Sequence, residues 1–185
     1  FTTKVVDSGA AALTAESTEK VLGLMEALPY GVQRMSADIE GLVETSVNLG
    51  ITELSAETFT LKYSVRSSVA TAFRAVVDKI EFVASCFGAS SAVHSVYPAW
   101  EYVRESAFRD EAAAIYRELF GKELSVQAIH AGLECGILSG KIKNLDAVSI
   151  GPDMKDIHTP EERLNIPSTK RVYDFVVKII EHKSK

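Results

Sequence analysis

The sequence is poor in the features by which a chain declares its chemistry. It holds two cysteines, Cys86 and Cys135, far apart and each in an apolar stretch. A pair spaced that way builds no disulfide framework and suits a reducing cytoplasm. No apolar run approaches the roughly 20 residues that span a bilayer, so no membrane is expected as a partner. Basic residues are in the minority, 20 Lys and Arg against 25 Asp and Glu for a net charge of -5. Without a cationic cluster to neutralise phosphates, no nucleic acid is expected as a partner either. A glycine-rich phosphate loop, a nucleophile elbow and a paired-cysteine zinc pattern are all lacking. The first residues, Phe1-Thr2-Thr3, show neither an initiator Met nor a signal-peptide pattern. They read straight into a strand, as expected of a piece of a longer protein.

What is present is ordinary globular material: 185 residues, 46% hydrophobic and 24% charged. That suffices for one large domain or two small ones. Phe1 to Val6 reads as a strand stopped by Asp7-Ser8-Gly9. Thr14 is a candidate cap for a helix from about Ala15 to Leu28, which Pro29-Tyr30-Gly31 ends. Val32 to Glu40 is polar and reads as a loop, and Leu42 to Leu49 as a second strand. Phe59, Leu61, Tyr63 and Val65 alternate with polar neighbours, the period of a half-buried strand. Ser67 or Ser68 is placed to cap a long helix with an apolar stripe from Val69 to Phe87, closed by Gly88. Ser91 to Tyr97 reads as a further strand. The order is β-α-β-β-α-β, the ferredoxin-like arrangement of a sheet with both helices on one face.

After Pro98 the rhythm changes. A helix marked by Phe108, Ala112, Ile115 and Leu119 is followed by a strand from Leu124 to Ile129. A short helix around Leu133 to Leu138 and a buried strand from Ala147 to Ile150 come next. The loop from Gly151 to Pro167 leads to a last helix from Ser168, with Val172, Phe175, Val176, Ile179 and Ile180 on its apolar face. Alternating strands and helices predict parallel neighbours in an α/β sheet. The fold class expected is therefore α/β overall, a ferredoxin-like α+β unit in residues 1–98 followed by an α/β segment in residues 99–185.

The candidate site residues gather between Ser125 and Glu162. His130 and His158 each follow a short apolar run, as site residues do at the carboxyl ends of strands. Imidazole is the commonest metal ligand and a base near neutral pH. The plainer reading of His158 is a solvated loop side chain, and of His130 a hydrogen-bonded histidine at a strand end. Gly132 lets a backbone approach a ligand or a neighbouring element closely. Glu134, one turn from His130, either orients it, binds a substrate amine or caps the short helix. Arg66 ends the alternating strand, either as a surface residue or as a fork for a carboxylate. Cys135 reads as a buried structural thiol.

The stretches His130-Ala-Gly-Leu-Glu-Cys-Gly136, Val148-Ser-Ile-Gly-Pro152 and His158-Thr-Pro-Glu-Glu162 together resemble the C-terminal part of the Xaa-His dipeptidases. These are the aminoacyl-histidine dipeptidases, carnosinase-like di-zinc metallopeptidases. Leu28-Pro-Tyr-Gly-Val-Gln-Arg-Met-Ser36, the stretch Gly41 to Gly50, and Tyr97-Pro-Ala-Trp100 look like the same family's lid. The resemblance covers nearly the whole chain, in order. It implies an α/β domain holding two zinc ions and interrupted by a lid, this chain being the later part of the lid and the last section of the catalytic domain. Residue by residue, it implies that His158 is the final zinc ligand, Thr159 standing where the family has Ser. Arg66 would grip the substrate's C-terminal carboxylate, and Gly132 would line the pocket with His130 and Glu134. The other zinc ligands and the general-base Glu would belong to an N-terminal section absent here, leaving no catalytic residue in this chain. A dipeptide substrate, a cytoplasmic location, a homodimer for the full-length protein and a metal-activated water are further implications. The alternatives are an N-acyl-amino-acid hydrolase, a dipeptidase of other specificity, or a non-catalytic dimerisation module.

Overall fold

Residues 12–184 are described by the computed structural model of the chain; the strand expected at Phe1 to Val6 falls outside them. Helix α1 runs Ala15–Ala27 and starts where expected, the Thr14 hydroxyl accepting from the Ser17 N–H at 3.2 Å. Three antiparallel strands follow, β1 Gly31–Met35, β2 Val43–Leu54 and β3 Phe59–Ser67, in the spatial order β1-β2-β3. The alternation seen in the sequence is realised in β3. Leu61, Tyr63 and Val65 are half-buried while Lys62, Ser64 and Arg66 face solvent. Cross-strand register sets Ser46 of β2 opposite Arg66 and Val47 opposite Val65.

Helix α2, Ala70–Cys86, packs along β3 and buries Val77 and Ala84. It ends as its glycine predicts. Gly88 takes φ +73°, and the Gly88 and Ala89 N–H groups close back on the carbonyls of Ser85 and Ala84. Its start differs from expectation. Neither Ser67 nor Ser68 caps it; Val69 is the capping position, and the Ala70 N–H donates to the Glu101 carboxylate at 3.0 Å. Ser67 is engaged instead with the Thr45 hydroxyl at 2.9 Å.

Three helices complete the chain: α3 Ala107–Phe120, α4 Glu134–Lys141 and α5 Ile166–Lys183. Helices α3 and α5 pack together around Ala112, Ile115, Phe175 and Ile179, with Phe108, Tyr116, Phe120 and Leu124 packed against them. Tyr116 meets Phe175 edge to face, with ring centroids 5.3 Å apart. Helix α5 begins two residues before Ser168, because the Asn165 side chain caps it by accepting from the Ser168 N–H at 2.9 Å. A two-residue hairpin, β4 Met154–Lys155 with β5 Arg163–Leu164, lies within the expected loop.

The result is a mixed α/β structure with a small antiparallel sheet. Its strand set departs from the expected β-α-β-β-α-β order: the described residues of that unit run α1-β1-β2-β3-α2. The segment from Val32, expected as a loop, enters a strand because its backbone pairs with the otherwise open edge of β2, Gly31 opposite Val47 and Met35 opposite Val43. Polar side chains such as Gln33 and Arg34 are tolerated there because an edge strand faces water. Conversely, Ser91–Tyr97, Leu124–Ile129 and Ala147–Ile150 join no ladder among the described residues. A strand exists only where a neighbour takes up its N–H and C=O groups. These runs have the composition of strands without the partner, and no parallel pairing forms among the described residues.

Candidate functional site

A broad cleft of roughly 2200 Å³ opens between β3 with α2 and the segments that follow Pro98; Arg66, His130 and Gly132 are among its lining residues. It exceeds the roughly 300–1,000 Å³ of a small-ligand pocket, so it is a groove within which a smaller constellation must be sought. That constellation lies where β2 and β3 meet the His130 segment. The Ser46 Oγ stands 2.6 Å from His130 Nε2, joining residues 84 positions apart in sequence. Ser46 is paired across the ladder with Arg66, so both side chains project from the same face of the sheet.

The imidazole is harder to protonate than a free one. Partial burial is the main cause of its lowered pKa, with the Arg66 guanidinium adding to it and a hydrogen bond to the Val43 backbone opposing it. Arg66 is exposed and makes no ion pair with an acidic side chain of the described residues. An exposed guanidinium thus lies near an imidazole that is harder to protonate than usual.

Gly132 forms the next part of the wall. A Cβ there would lie 2.6 Å from the Tyr97 hydroxyl, so the absence of a side chain is what admits the ring. The same close packing continues onto α4. A Cβ on Gly136 would lie 2.8 Å from the Pro98 carbonyl, and one on Gly140 2.5 Å from the Pro98 ring. Tyr97 to Trp100 is thus laid against a strip of glycines.

Two expected site residues stand apart. Glu134 is exposed in the first turn of α4 and does not line the cleft; the ring of His130 bonds Ser46 rather than Glu134. His158 is exposed in the β4–β5 hairpin, also outside the cleft. Its loop is nevertheless well defined. The His158 N–H donates to Glu162 at 2.9 Å, the Thr159 hydroxyl donates to the Asp156 carbonyl at 2.7 Å, and Asp156 pairs with Arg163. His158 takes φ +67°, a left-handed backbone that turns the hairpin and that histidine adopts more readily than most residues. The hairpin is tied to α5 through the Asp153 N–H, which donates to the buried Ser168 hydroxyl at 2.8 Å. Among the described residues no three His, Cys, Asp or Glu side chains cluster as a metal site would require. The described residues alone therefore do not fit a zinc ion.

Ser46, Glu101 and Asp146 were not singled out by sequence reasoning, and Tyr97 only as the first residue of a lid-like motif. The Ser106 hydroxyl donates to Asp146 at 2.6 Å and the Phe108 N–H does so at 2.9 Å, and these bonds hold the carboxyl below its usual range. Asp146 thereby anchors the start of α3. Its signal was invisible along the chain because its partners lie about 40 residues away. No helix among the described residues is long and apolar enough to cross a membrane.

Comparison with known proteins gives two informative likenesses, while no family model matches. The chain is 31% identical over 171 residues, 92% of its length, to the cytosol non-specific dipeptidase of Escherichia coli (strain K12). It superposes with a TM-score of 0.84 and 30% identity on the crystal structure of aminoacylhistidine dipeptidase from Vibrio alginolyticus, over 96% of its length. The chain spans about a third of each relative, 35% of the first and 36% of the second.

Proposed function

We propose, from the homology of this chain over nearly its whole length to a section of known dipeptidases, that it is the C-terminal portion of a zinc-dependent dipeptidase acting on Xaa-His dipeptides such as β-alanyl-histidine. The observation that carries this reading is the meeting of Arg66, without an acidic partner, and His130 in one cleft, in a chain alike over 96% of its length to an aminoacylhistidine dipeptidase. A planar fork of donors beside an imidazole suits the C-terminal carboxylate of a short peptide. Arg66 would anchor that carboxylate, holding the scissile bond at a set distance from the reacting groups. His130 and Gly132 would line the same end, and Glu134 would stand at the rim.

His158 would donate one zinc ligand from the hairpin. Because the described residues alone do not fit the metal, the chain by itself is expected to bind zinc poorly and to be inactive. The remaining ligands and the general base would come from sequence outside this chain. The boundary between lid (residues 1–98) and catalytic segment (residues 99–185) belongs to the same proposal, as do a homodimer and a cytoplasmic location.

The test is zinc-dependent release of histidine from β-alanyl-histidine by the intact gene product, with His158→Ala and the isolated 185-residue chain alongside. Hydrolysis by the intact protein and its loss in both controls is the expected result. Activity that survives His158→Ala would reduce His158 to a loop histidine. A second reading is favoured by the Escherichia coli relative, which is called non-specific. A panel of dipeptides varied at the C-terminal residue separates the two: equal turnover across the panel would remove the histidine preference and keep the dipeptidase.

A further inference from the structure

We propose that Ser46 is a positioning residue for carboxylate recognition, its hydroxyl holding the His130 ring beside the Arg66 guanidinium. The inference rests on the dipeptidase reading and adds to it a residue on a different strand from Arg66 and far in sequence from His130.

The geometry is specific. Ser46 Oγ meets His130 Nε2 at 2.6 Å, tying the ring to β2. The strand that carries Ser46 is itself held on both sides, by β1 and by β3, so the anchor does not drift. Register then completes the arrangement, because the residue opposite Ser46 on β3 is Arg66. A side chain at position 46 therefore sets the distance between the imidazole and the guanidinium.

The chemistry follows from that placement. The guanidinium supplies a permanent positive charge, and partial burial together with that charge makes the imidazole harder to protonate than a free one. A monoanionic carboxylate matches that charge; a second cation would leave excess charge when the ligand departs. Without the Ser46 hydroxyl, one ring nitrogen loses its partner and the ring gains freedom to rotate away from Arg66. A half-buried polar atom left unpaired then either reorients toward water or takes up another bond. The expected loss falls on binding, because carboxylate contacts are made alike in the ground state and the transition state.

The experiment is steady-state kinetics of the intact, zinc-loaded gene product on β-alanyl-histidine, comparing wild type, Ser46→Ala and Ser46→Thr. Ser46→Ala is expected to raise KM about tenfold, the size of one lost hydrogen bond, and to leave kcat within about twofold. Ser46→Thr, which keeps the hydroxyl and suits a strand, is expected to restore KM. In parallel, the ring-nitrogen NMR shifts of His130 are expected to move in Ser46→Ala and to return in Ser46→Thr. If Ser46→Ala does not fold, Ser46→Cys, similar in volume with only a weak hydrogen-bonding group, is read in its place. An unchanged KM with an active wild type overturns this proposal alone. A wild type that cleaves no dipeptide overturns the dipeptidase reading and this proposal with it.

Discussion

His130 shows how one residue's surroundings set what it can do. Its pKa is lowered by burial first and by Arg66 second, so the fold stabilises the neutral ring. The unfolded chain protonates near pH 6.5 while the folded chain resists, so this contribution is present above that pH and is lost as pH falls through the lowered folded value. His130→Gln is accordingly expected to flatten the pH dependence of urea midpoints between about pH 7 and pH 5. Asp146 shows the same sign through a different cause, its carboxylate being favoured by the hydroxyl and N–H groups it accepts from. Its contribution is present above the ordinary aspartate pKa and lost as pH falls through the lower folded value. Asp146→Ala should therefore destabilise at neutral pH by about 1 kcal/mol, modest because the carboxylate is exposed, and by less in acid. Equal destabilisation at all pH values would assign its effect to packing rather than charge. Arg66, His130 and Gly132 could be named from the sequence, but Ser46 and Asp146 could not. Their roles depend on partners 84 and 40 positions away.

At the scale of elements, local signals succeeded where the element closes its own hydrogen bonds. The helices α1, α2, α3 and α4 lie within a few residues of expectation, and α1 even uses the expected Thr14 cap. Helices bond within themselves, so periodicity and caps suffice to place them. Strands do not, and it was there that β1 was missed and three apolar runs were overread. Packing between elements adds constraints of its own. Helix α4 offers Gly136 and Gly140 one turn apart to Pro98, with the Pro98 carbonyl where a Gly136 side chain would stand. Gly136→Ala is expected to cost about 1–3 kcal/mol, because the obstacle is backbone and yields less readily than the end of a side chain. Gly132→Ala meets the partly exposed Tyr97 ring instead, and is expected to cost less. Denaturant midpoints of the two variants in the intact protein check the order; a reversed order would mean that the Tyr97 ring is the more rigid of the two.

For the molecule as a whole, buried apolar residues are few among those described, and large ones stand open to solvent. Ile166 is 78% exposed, Phe82 69% and Tyr173 67%. Exposed apolar side chains on this scale are more than a self-contained domain usually leaves to water. That agrees with a chain that spans about a third of its relatives. The isolated chain is therefore expected to bind a hydrophobic dye such as ANS and to self-associate, and the intact gene product to do neither. A monomeric isolated chain that leaves the dye dark would mean that these faces close on themselves.

The sequence by itself determined the helices, the mixed α/β class, the half-buried alternation of β3 and the resemblance to dipeptidases, because each is written in neighbouring residues or in contiguous motifs. Only the tertiary structure decided which extended runs become strands, what caps α2 and α3, and that His130 rests on Ser46 beside Arg66 while His158 and Glu134 stand outside that cleft. The reason is physical: hydrogen bonds between strands, remote caps and a charge beside an imidazole are properties of pairs, and the members of those pairs are brought together only by the fold.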